Sequence, residues 1–337
     1  MTELNYHAAM KRALELAALG QGRTGSNPVV GSVILDNTGA VISEGFHAGG
    51  DHAEVVAIKS AAQIPADATI VVTLEPCNHT GKTGPCTEAI IAAGIKRVVF
   101  AVTDPNPVAA GGQDRLRAAG VEVIAGVMQE EARFVNRAWL TMIEKKRPLF
   151  IWKVAATLDG KTAALDRSSK WITGPQAREY VTQLRRQSDA IVVGTGTVLA
   201  DNPELVPHDG LDQKNPLRVV VGQRELGADL HIFDEQAELL LWKSHDLQGL
   251  ASHLGELGVK QVLVEAGAVL GTALVNAGLI DEVILIQAPK LLGAGTSFIG
   301  DLGITTLAEA RELNLIGTQQ LGNDSALHLQ LLPKAEK

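Results

Sequence analysis

Cysteine is scarce in this chain: 337 residues contain two. That is too few for a disulfide framework and points to a reducing compartment, where paired cysteines more often bind metal or do chemistry than staple loops. Long apolar runs are also missing, none approaching the roughly 18 residues that would span a bilayer. At the N-terminus, Met1 to His7 is polar and carries Glu3, and Glu15 interrupts the nearest apolar candidate, Ala13 to Leu19. A secretion signal needs basic residues followed by an uninterrupted apolar stretch. We therefore expect a cytoplasmic protein with no membrane partner. Positive charge is in deficit as well: 30 Lys and Arg against 38 Asp and Glu leave a formal charge of −8. Nothing in that balance attracts a phosphate backbone, so a nucleic-acid partner is not expected. Charged residues are 20% and apolar residues 46% of the chain, which argues against both disorder and coiled coil. Internal repeats and low-complexity tracts are absent.

The length suggests about two domains. Helical spacing over residues 7–18 is followed by a buried strand, Val29 to Leu35, the turn Asp36-Asn37-Thr38-Gly39, and a pairing strand, Val41 to Gly45. Helices Ala53 to Ala62, Thr87 to Ala93 and Gly112 to Ala119 then alternate with strands Thr69 to Leu74, Arg97 to Val102 and Val121 to Ile124. The alternation predicts a layered α/β domain with a largely parallel sheet. A polar helix from Gln129 to Lys145 closes this unit, and Pro148 stops it before a new strand, Leu149 to Ala155. The expected domains are 1–146 and 147–337. In the second, helices Pro175 to Gln187 and Val269 to Ala277 accompany strands Ala190 to Val193, Leu217 to Val221, Glu238 to Trp242, Gln261 to Glu265 and Glu282 to Ala288. Pro203 to Pro216 is the longest unpatterned stretch and a candidate substrate loop.

Both cysteines follow proline, in Leu74-Glu75-Pro76-Cys77 and Gly84-Pro85-Cys86, and upstream lies Asp51-His52-Ala53-Glu54. One imidazole and two thiolates leave a tetrahedral zinc with an open fourth position, as a catalytic site requires. Water activated there needs a nearby carboxylate that is not a ligand to shuttle its proton, and Glu54 fits. His-x-Glu followed by Pro-Cys and a second Cys is the signature of the zinc nucleobase deaminases. Pro85 and Cys86 sit where a helix begins, at Thr87, so the helix N-terminus can add positive potential near the thiolate. The plainer alternatives are two ordinary buried cysteines, or a closed structural zinc with His79 as fourth ligand. The insert between the cysteines, Asn78 to Pro85, is polar, basic and glycine-containing. It can serve as a solvated loop or hold an anionic tail on a substrate, with Lys82 as a point charge.

These segments, continued as Asn78-His79-Thr80-Gly81-Lys82-Thr83 and with Asp104-Pro105-Asn106-Pro107 further on, resemble the deaminase half of the bifunctional riboflavin-biosynthesis deaminase-reductases. Lys153 to Lys161, Ser169-Lys170-Trp171-Ile172-Thr173, Val193 to Pro203 and Ala288 to Gly293 are similar to the reductase half, so the resemblance runs from about residue 5 to 333. It implies a cytidine-deaminase-like three-layer domain followed by a dihydrofolate-reductase-like α/β domain. The first would deaminate 2,5-diamino-6-ribosylamino-4(3H)-pyrimidinone 5′-phosphate with Zn2+. The second would reduce the ribosyl group of the product to ribityl with NADPH. By motif position, Asn27, His47, His79, Lys82, Thr83, Asp104 and Asn106 would line the deaminase substrate site. Lys153, Ser169, Arg185, Leu205, His208 and Glu265 would meet the reductase substrate. NADPH would meet Ala156, Trp171, Thr197, Asp201 and the run Gly267, Ala268, Val269, Leu270, Gly271, Thr272 and Ala273. A compact enzyme of this kind is expected to form a homo-oligomer, dimer or tetramer.

Strand Gln261 to Glu265 runs through Ala266-Gly267-Ala268 into a helix, a turn where backbone amides can meet a cofactor phosphate. Gly194-Thr195-Gly196 follows a strand in the same way, although neither turn carries the full dinucleotide fingerprint. Lys153 sits mid-strand in an apolar run, so it needs a partner or an anionic ligand unless the strand is at an edge. Asp201 can orient the cofactor or simply end a helix, and Trp171 can stack on a cofactor or fill a core. Three departures from the resemblance stand out. Ser26 and Gly84 occupy positions where the family usually has Pro. Glu204-Leu205-Val206-Pro207-His208 carries an imidazole where the family has an arginine that helps hold the substrate phosphate. Either another base such as Arg185 takes that role, or activity is reduced, or the reductase substrate differs.

Overall fold

The computed structural model describes residues 6–80, 84–211 and 214–332, so the expected substrate residues Lys82 and Thr83 lie outside the described residues. The chain folds as two compact units, Met1–Lys145 and Lys146–Lys337.

The first unit runs α1 (Tyr6–Ala18), β1 (Gly31–Leu35), β2 (Val41–Phe46), α2 (Ala53–Ser60), β3 (Thr69–Leu74), α3 (Cys86–Ala92), β4 (Arg97–Val102), α4 (Gly112–Ala118), β5 (Glu122–Ala125), α5 (Gln129–Val135) and α6 (Arg137–Lys145). Its sheet order is β2-β1-β3-β4-β5. The expected largely parallel sheet is in fact mixed: β1 is antiparallel to both neighbours, and β3, β4 and β5 are parallel. A short turn between β1 and β2 permits no other pairing. Strands β1 and β3 are buried along their whole length, as their unbroken apolar runs require.

Two glycines show why helices cover both faces. A side chain at Gly31 would strike the carbonyl of Ala13 in α1, and one at Gly45 would strike the backbone of Ala53 and Ala57 in α2. Ser32, next to Gly31, pairs with Gly45 across the β1–β2 ladder. Successive strand residues point to opposite faces, so α1 and α2 lie on opposite sides of the sheet. The three-layer architecture follows. The single helix expected from Gln129 to Lys145 is broken at Asn136, whose backbone leaves the α5 geometry. Its side-chain amide accepts from the Val29 N–H at 2.9 Å and donates to the Val29 carbonyl at 2.8 Å. That pairing, 107 residues away in the chain, outweighs local helix propensity.

The second unit runs β6 (Leu149–Thr157), β7 (Lys161–Ala163), α7 (Pro175–Arg186), β8 (Ala190–Gly194), α8 (Thr195–Asp201), β9 (Leu217–Val221), β10 (Leu239–Trp242), α9 (Leu247–Glu256), β11 (Gln261–Val264), α10 (Ala268–Asn276), β12 (Glu282–Ala288), β13 (Thr296–Ser297), β14 (Leu313–Leu321) and β15 (Asp324–Leu331). Its main sheet has the order β10-β9-β8-β11-β6-β12-β15-β14. The six strands from β10 to β12 are parallel, and the terminal hairpin β14–β15 adds antiparallel. Hence six carboxyl ends share one edge, the edge at which open α/β sheets bind ligands. Strand β6 lies between β11 and β12, which rules out the edge position considered for Lys153. Among the described residues, no helix is long and apolar enough to cross a membrane.

Candidate functional site

In the first unit the ends of three elements converge. His52 precedes α2, Cys77 lies in the loop after β3, and Cys86 begins α3. The His52 Nδ1 lies 3.2 Å from the Cys86 Sγ and 3.5 Å from the Cys77 Sγ. All three donor atoms fall within 4.8 Å of one another, and both cysteines are free and buried. A tetrahedral zinc with Zn–N near 2.0 Å and Zn–S near 2.3 Å would hold N and S about 3.5 Å apart, so the donor set fits the ion. Among the described residues, His79 is not part of this cluster, and its buried Nδ1 has no hydrogen-bond partner. A closed site with His79 as fourth ligand is therefore not what the side chains form. The hydrogen bond with Cys86 draws the Cys77 thiol down, whereas the same bond and burial push Cys86 up.

Glu54, in the first turn of α2, is fully buried, and burial pushes its carboxyl up to about 7. It shares a cavity of about 290 Å³ with His52, Cys77, Asn27, His47, His79, Asp104 and Asn106. Every described residue expected at the deaminase substrate site therefore meets the metal cluster in one pocket. The His47 Nδ1 lies 3.0 Å from the Asp51 carbonyl, so it carries the proton, and Nε2 accepts from Asn27 Nδ2 at 3.3 Å. Burial raises the Asp104 carboxyl, whose Oδ1 accepts from the Asn106 N–H at 2.8 Å. Sequence reasoning missed three residues that shape this pocket. Glu75 fixes the loops by accepting from the N–H groups of Asp104 and Gln113 at 3.2 and 2.9 Å. Trp139 and Ile143 wall the cavity from α6, and their spacing of four on one helix face was the signal available.

The second unit builds an ionic cluster. Val264 of β11 pairs with Trp152 of β6, so Glu265 arrives beside Lys153. The Lys153 Nζ lies 3.1 Å from Glu265 Oε2, and Arg185 from α7 donates to both carboxylate oxygens at 2.6 and 3.1 Å. Burial would raise the Glu265 carboxyl, but Lys153 and Arg185 prevail and hold it at about 2. Arg185 also donates to the Val206 carbonyl at 3.1 Å, and the fully buried Arg218 reaches the Glu204 carbonyl at 3.4 Å. Between those anchors Leu205 is buried with φ of +56°, an unusual conformation for a side chain of its size. His208 lies 3.3 Å from the Glu204 carboxylate and is mostly exposed. Ser169 is half-buried on the segment between β7 and α7.

The expected cofactor residues are spread along the carboxyl edge. Gly267 precedes α10 with no side-chain cap and open space around its Cα, which leaves the amides of the first turn accessible to a phosphate. Val269 is exposed, whereas a side chain at Gly271 would overlap the Trp152 indole and the Thr272 hydroxyl accepts from the Gly300 N–H at 2.7 Å. Leu270 packs beside Gly194, and Ala156 is buried in β6. Thr197 and Asp201 lie on α8, with Asp201 as its exposed last residue. Trp171 is 68% exposed rather than core, and Arg178 stacks over its ring at 4.5 Å.

An open His/Cys/Cys cluster beside a buried carboxyl, on a three-layer unit, joined in one chain to a parallel-sheet unit with a cofactor edge, defines a zinc-dependent deaminase combined with a nucleotide-dependent reductase. The cytidine and deoxycytidylate deaminase zinc-binding region matches residues 4–102, and the RibD C-terminal domain matches residues 148–327. The riboflavin biosynthesis protein RibD of Mycobacterium tuberculosis is 40% identical over 327 residues, covering 95% of this chain and 96% of that protein. The RibD of Escherichia coli is 39% identical over 359 residues, covering 95% and 98%. A crystal structure of a diaminohydroxyphosphoribosylaminopyrimidine deaminase/5-amino-6-(5-phosphoribosylamino)uracil reductase from Thermotoga maritima is similar with a TM-score of 0.89 and 34% identity, covering 97% of this chain and 99% of that one. The chain belongs to the RibD family of bifunctional riboflavin-biosynthesis enzymes.

Proposed function

We propose that residues 1–146 deaminate 2,5-diamino-6-ribosylamino-4(3H)-pyrimidinone 5′-phosphate and that residues 147–337 reduce the ribosyl group of the product to ribityl. The observation that carries the first step is the single cavity in which His52, Cys77 and Glu54 meet Asn27, His47, His79, Asp104 and Asn106. His52, Cys77 and Cys86 would hold zinc, which when bound supplies the Lewis acidity that makes water nucleophilic near neutral pH. Glu54, with its carboxyl near 7, takes the proton from the attacking water and delivers it to the departing amine, which leaves as ammonia. Asn27 and His47 form a hydrogen-bonded wall, and the Asp104 carboxyl and the His79 Nδ1, which has no partner among the described residues, would offer the pyrimidine polar contacts.

For the second step, the uncapped α10 turn at Gly267 would hold the diphosphate of NADPH, which when bound would supply the hydride. The Lys153–Glu265–Arg185 cluster carries one net positive charge and lies where β11 meets β6, so it can orient an anionic sugar phosphate. His208 contributes less phosphate affinity than an arginine, since Glu204 already faces it and an imidazole lacks the forked donor set of a guanidinium. We place the enzyme in the cytoplasm as a homo-oligomer of two or four chains, which light scattering on the purified protein checks.

The test of the first step is Glu54→Gln. The variant is expected to keep one zinc per chain by metal analysis and to lose ammonia release by at least about a hundredfold, the usual scale of a general acid–base. Full activity in that variant removes Glu54 from its role.

A further inference from the structure

Over its described residues, 203–211, the candidate substrate loop forms no helix or strand. Its path is therefore set by side chains from other elements. Leu205, Val206 and Pro207 are buried, Leu205 with φ of +56°, while His208 is exposed. Upstream of His208 the hold is on backbone carbonyls, by Arg218 at Glu204 and by Arg185 at Val206. Downstream it is ionic. Arg186, the last residue of α7, donates from Nε and Nη2 to the two oxygens of Asp209 at 2.7 and 2.6 Å.

Most surface ion pairs contribute little, being solvated and loosely held. This pair differs in three respects. It is bidentate, its side chains are only 14% and 20% exposed, and the remaining guanidinium nitrogen, Nη1, is buried with no hydrogen-bond partner among the described residues. An arginine free to turn would keep that nitrogen in water. The guanidinium also holds the Asp209 carboxyl at about 2, so the pair stays ionic at neutral pH. Arg185 and Arg186 are consecutive, about 100° apart around the helix, and α7 thus turns one guanidinium to Glu265 and the next to the loop. Val206 and Asp209, on either side of His208, are both fixed to the helix end that supplies a cation to the Lys153–Glu265–Arg185 cluster.

We propose that Arg186 is a positioning residue for the reduction: by gripping Asp209 it holds the Leu205–His208 segment beside the Lys153–Glu265–Arg185 cluster before the sugar phosphate arrives. A loop fixed beforehand leaves less ordering to be done on binding, so the effect falls on substrate affinity rather than on hydride transfer. With an imidazole at 208 in place of a forked guanidinium, the substrate phosphate grips the loop weakly, and the hold comes from α7 instead. The inference rests on the reading of this loop and cluster as the substrate side of the reductase.

Steady-state NADPH oxidation by the full-length chain, with the deaminated ribosyl phosphate as substrate, tests it. Asp209→Asn keeps the volume of the side chain and removes its charge, and Arg186→Met removes the other partner. Each is expected to raise the KM for the ribosyl phosphate about tenfold, the scale of one charge-assisted contact, with kcat and the KM for NADPH within about twofold of the unaltered protein. That unaltered kcat also verifies that the second unit is folded. The double variant should match either single one, because both remove the same hold. Arg186→Lys, which keeps the charge but not the fork, should fall between. An unchanged KM for the ribosyl phosphate, a loss confined to kcat, a rise of both KM values alike or additive effects in the double variant each overturn the proposal while the reductase reading stands. If the unaltered protein oxidises no NADPH with this substrate, the reading of the second unit falls and the proposal with it.

Discussion

Replacing Glu265 with Gln removes the one anion between Lys153 and Arg185 while keeping the volume of the side chain. The neighbours hold this carboxyl at about 2, against an ordinary value of 4.5. At about 1.4 kcal/mol per tenfold change, that difference corresponds to roughly 3 kcal/mol of stability at neutral pH. Removing one member of a buried ion pair typically costs about 3–5 kcal/mol, an independent figure of the same size. The sign follows from the depressed value in the folded state. The contribution is fully present above the unfolded value of 4.5 and fades as pH falls toward about 2. Between pH 7 and pH 3 the gap between the two proteins should therefore shrink by about 2 kcal/mol. Urea unfolding followed by tryptophan fluorescence reads this out, since Trp152, Trp171 and Trp242, three of the four tryptophans, lie in the second unit. A gap below about 1 kcal/mol at pH 7, or one that does not change between pH 7 and pH 3, would refute the view that the two cations stabilise this carboxylate.

Three further outcomes are expected. A zinc chelator should abolish ammonia release and leave NADPH oxidation with the deaminated substrate intact, and added zinc should restore the first; parallel loss of both activities would contradict separate sites. Gly271→Ala places a methyl group into the Trp152 ring. It should destabilise the second unit by about 1–3 kcal/mol in the same urea assay, and a neutral effect would mean that α10 shifts freely. Asn136→Ala leaves the buried N–H and carbonyl of Val29 without partners, at about 1–3 kcal/mol each. The variant should raise the deaminase KM more than it lowers kcat, because the Ser26-Asn27-Pro28 segment next to Val29 loosens; an unchanged KM would show that the segment is held by other contacts.

The metal site was legible because its chemistry is written in short local strings. His52 and Glu54 are two apart, and each cysteine sits behind a proline at the end of an element, so residue type and order sufficed. The long buried strands were legible for a similar reason: β3, β4, β9 and β12 have the bounds that their apolar runs predicted. What escaped is set by distant parts of the chain. No local property of Asn136 announces a helix break, because its partner is Val29. The Lys153–Glu265–Arg185 cluster needs the β11–β6 register before its members become neighbours. Helix α8 has seven residues, too few for periodicity, and the hairpin β14–β15 is mostly exposed on its outer strand, so it lacks a buried alternation. Helix α9 was a missed signal, since Asp246 caps it by accepting from the Gly249 N–H at 2.8 Å, ahead of Leu247, Leu250, Ala251 and Leu254 at helical spacing.

The bond pair between Asn136 and Val29 also determines where the two activities can be cut apart. A fragment ending at Val135 would retain all three metal ligands, Glu54 and the complete five-stranded sheet. It would nonetheless lack Trp139 and Ile143, one side of the cavity, and the Asn136 bonds that hold Val29, two residues after Asn27. The sheet marks where the scaffold of the deaminase is finished, but the enzyme is finished only at Lys145. A free-standing deaminase taken from this chain must therefore include a helix that contributes no strand, no ligand and no proton.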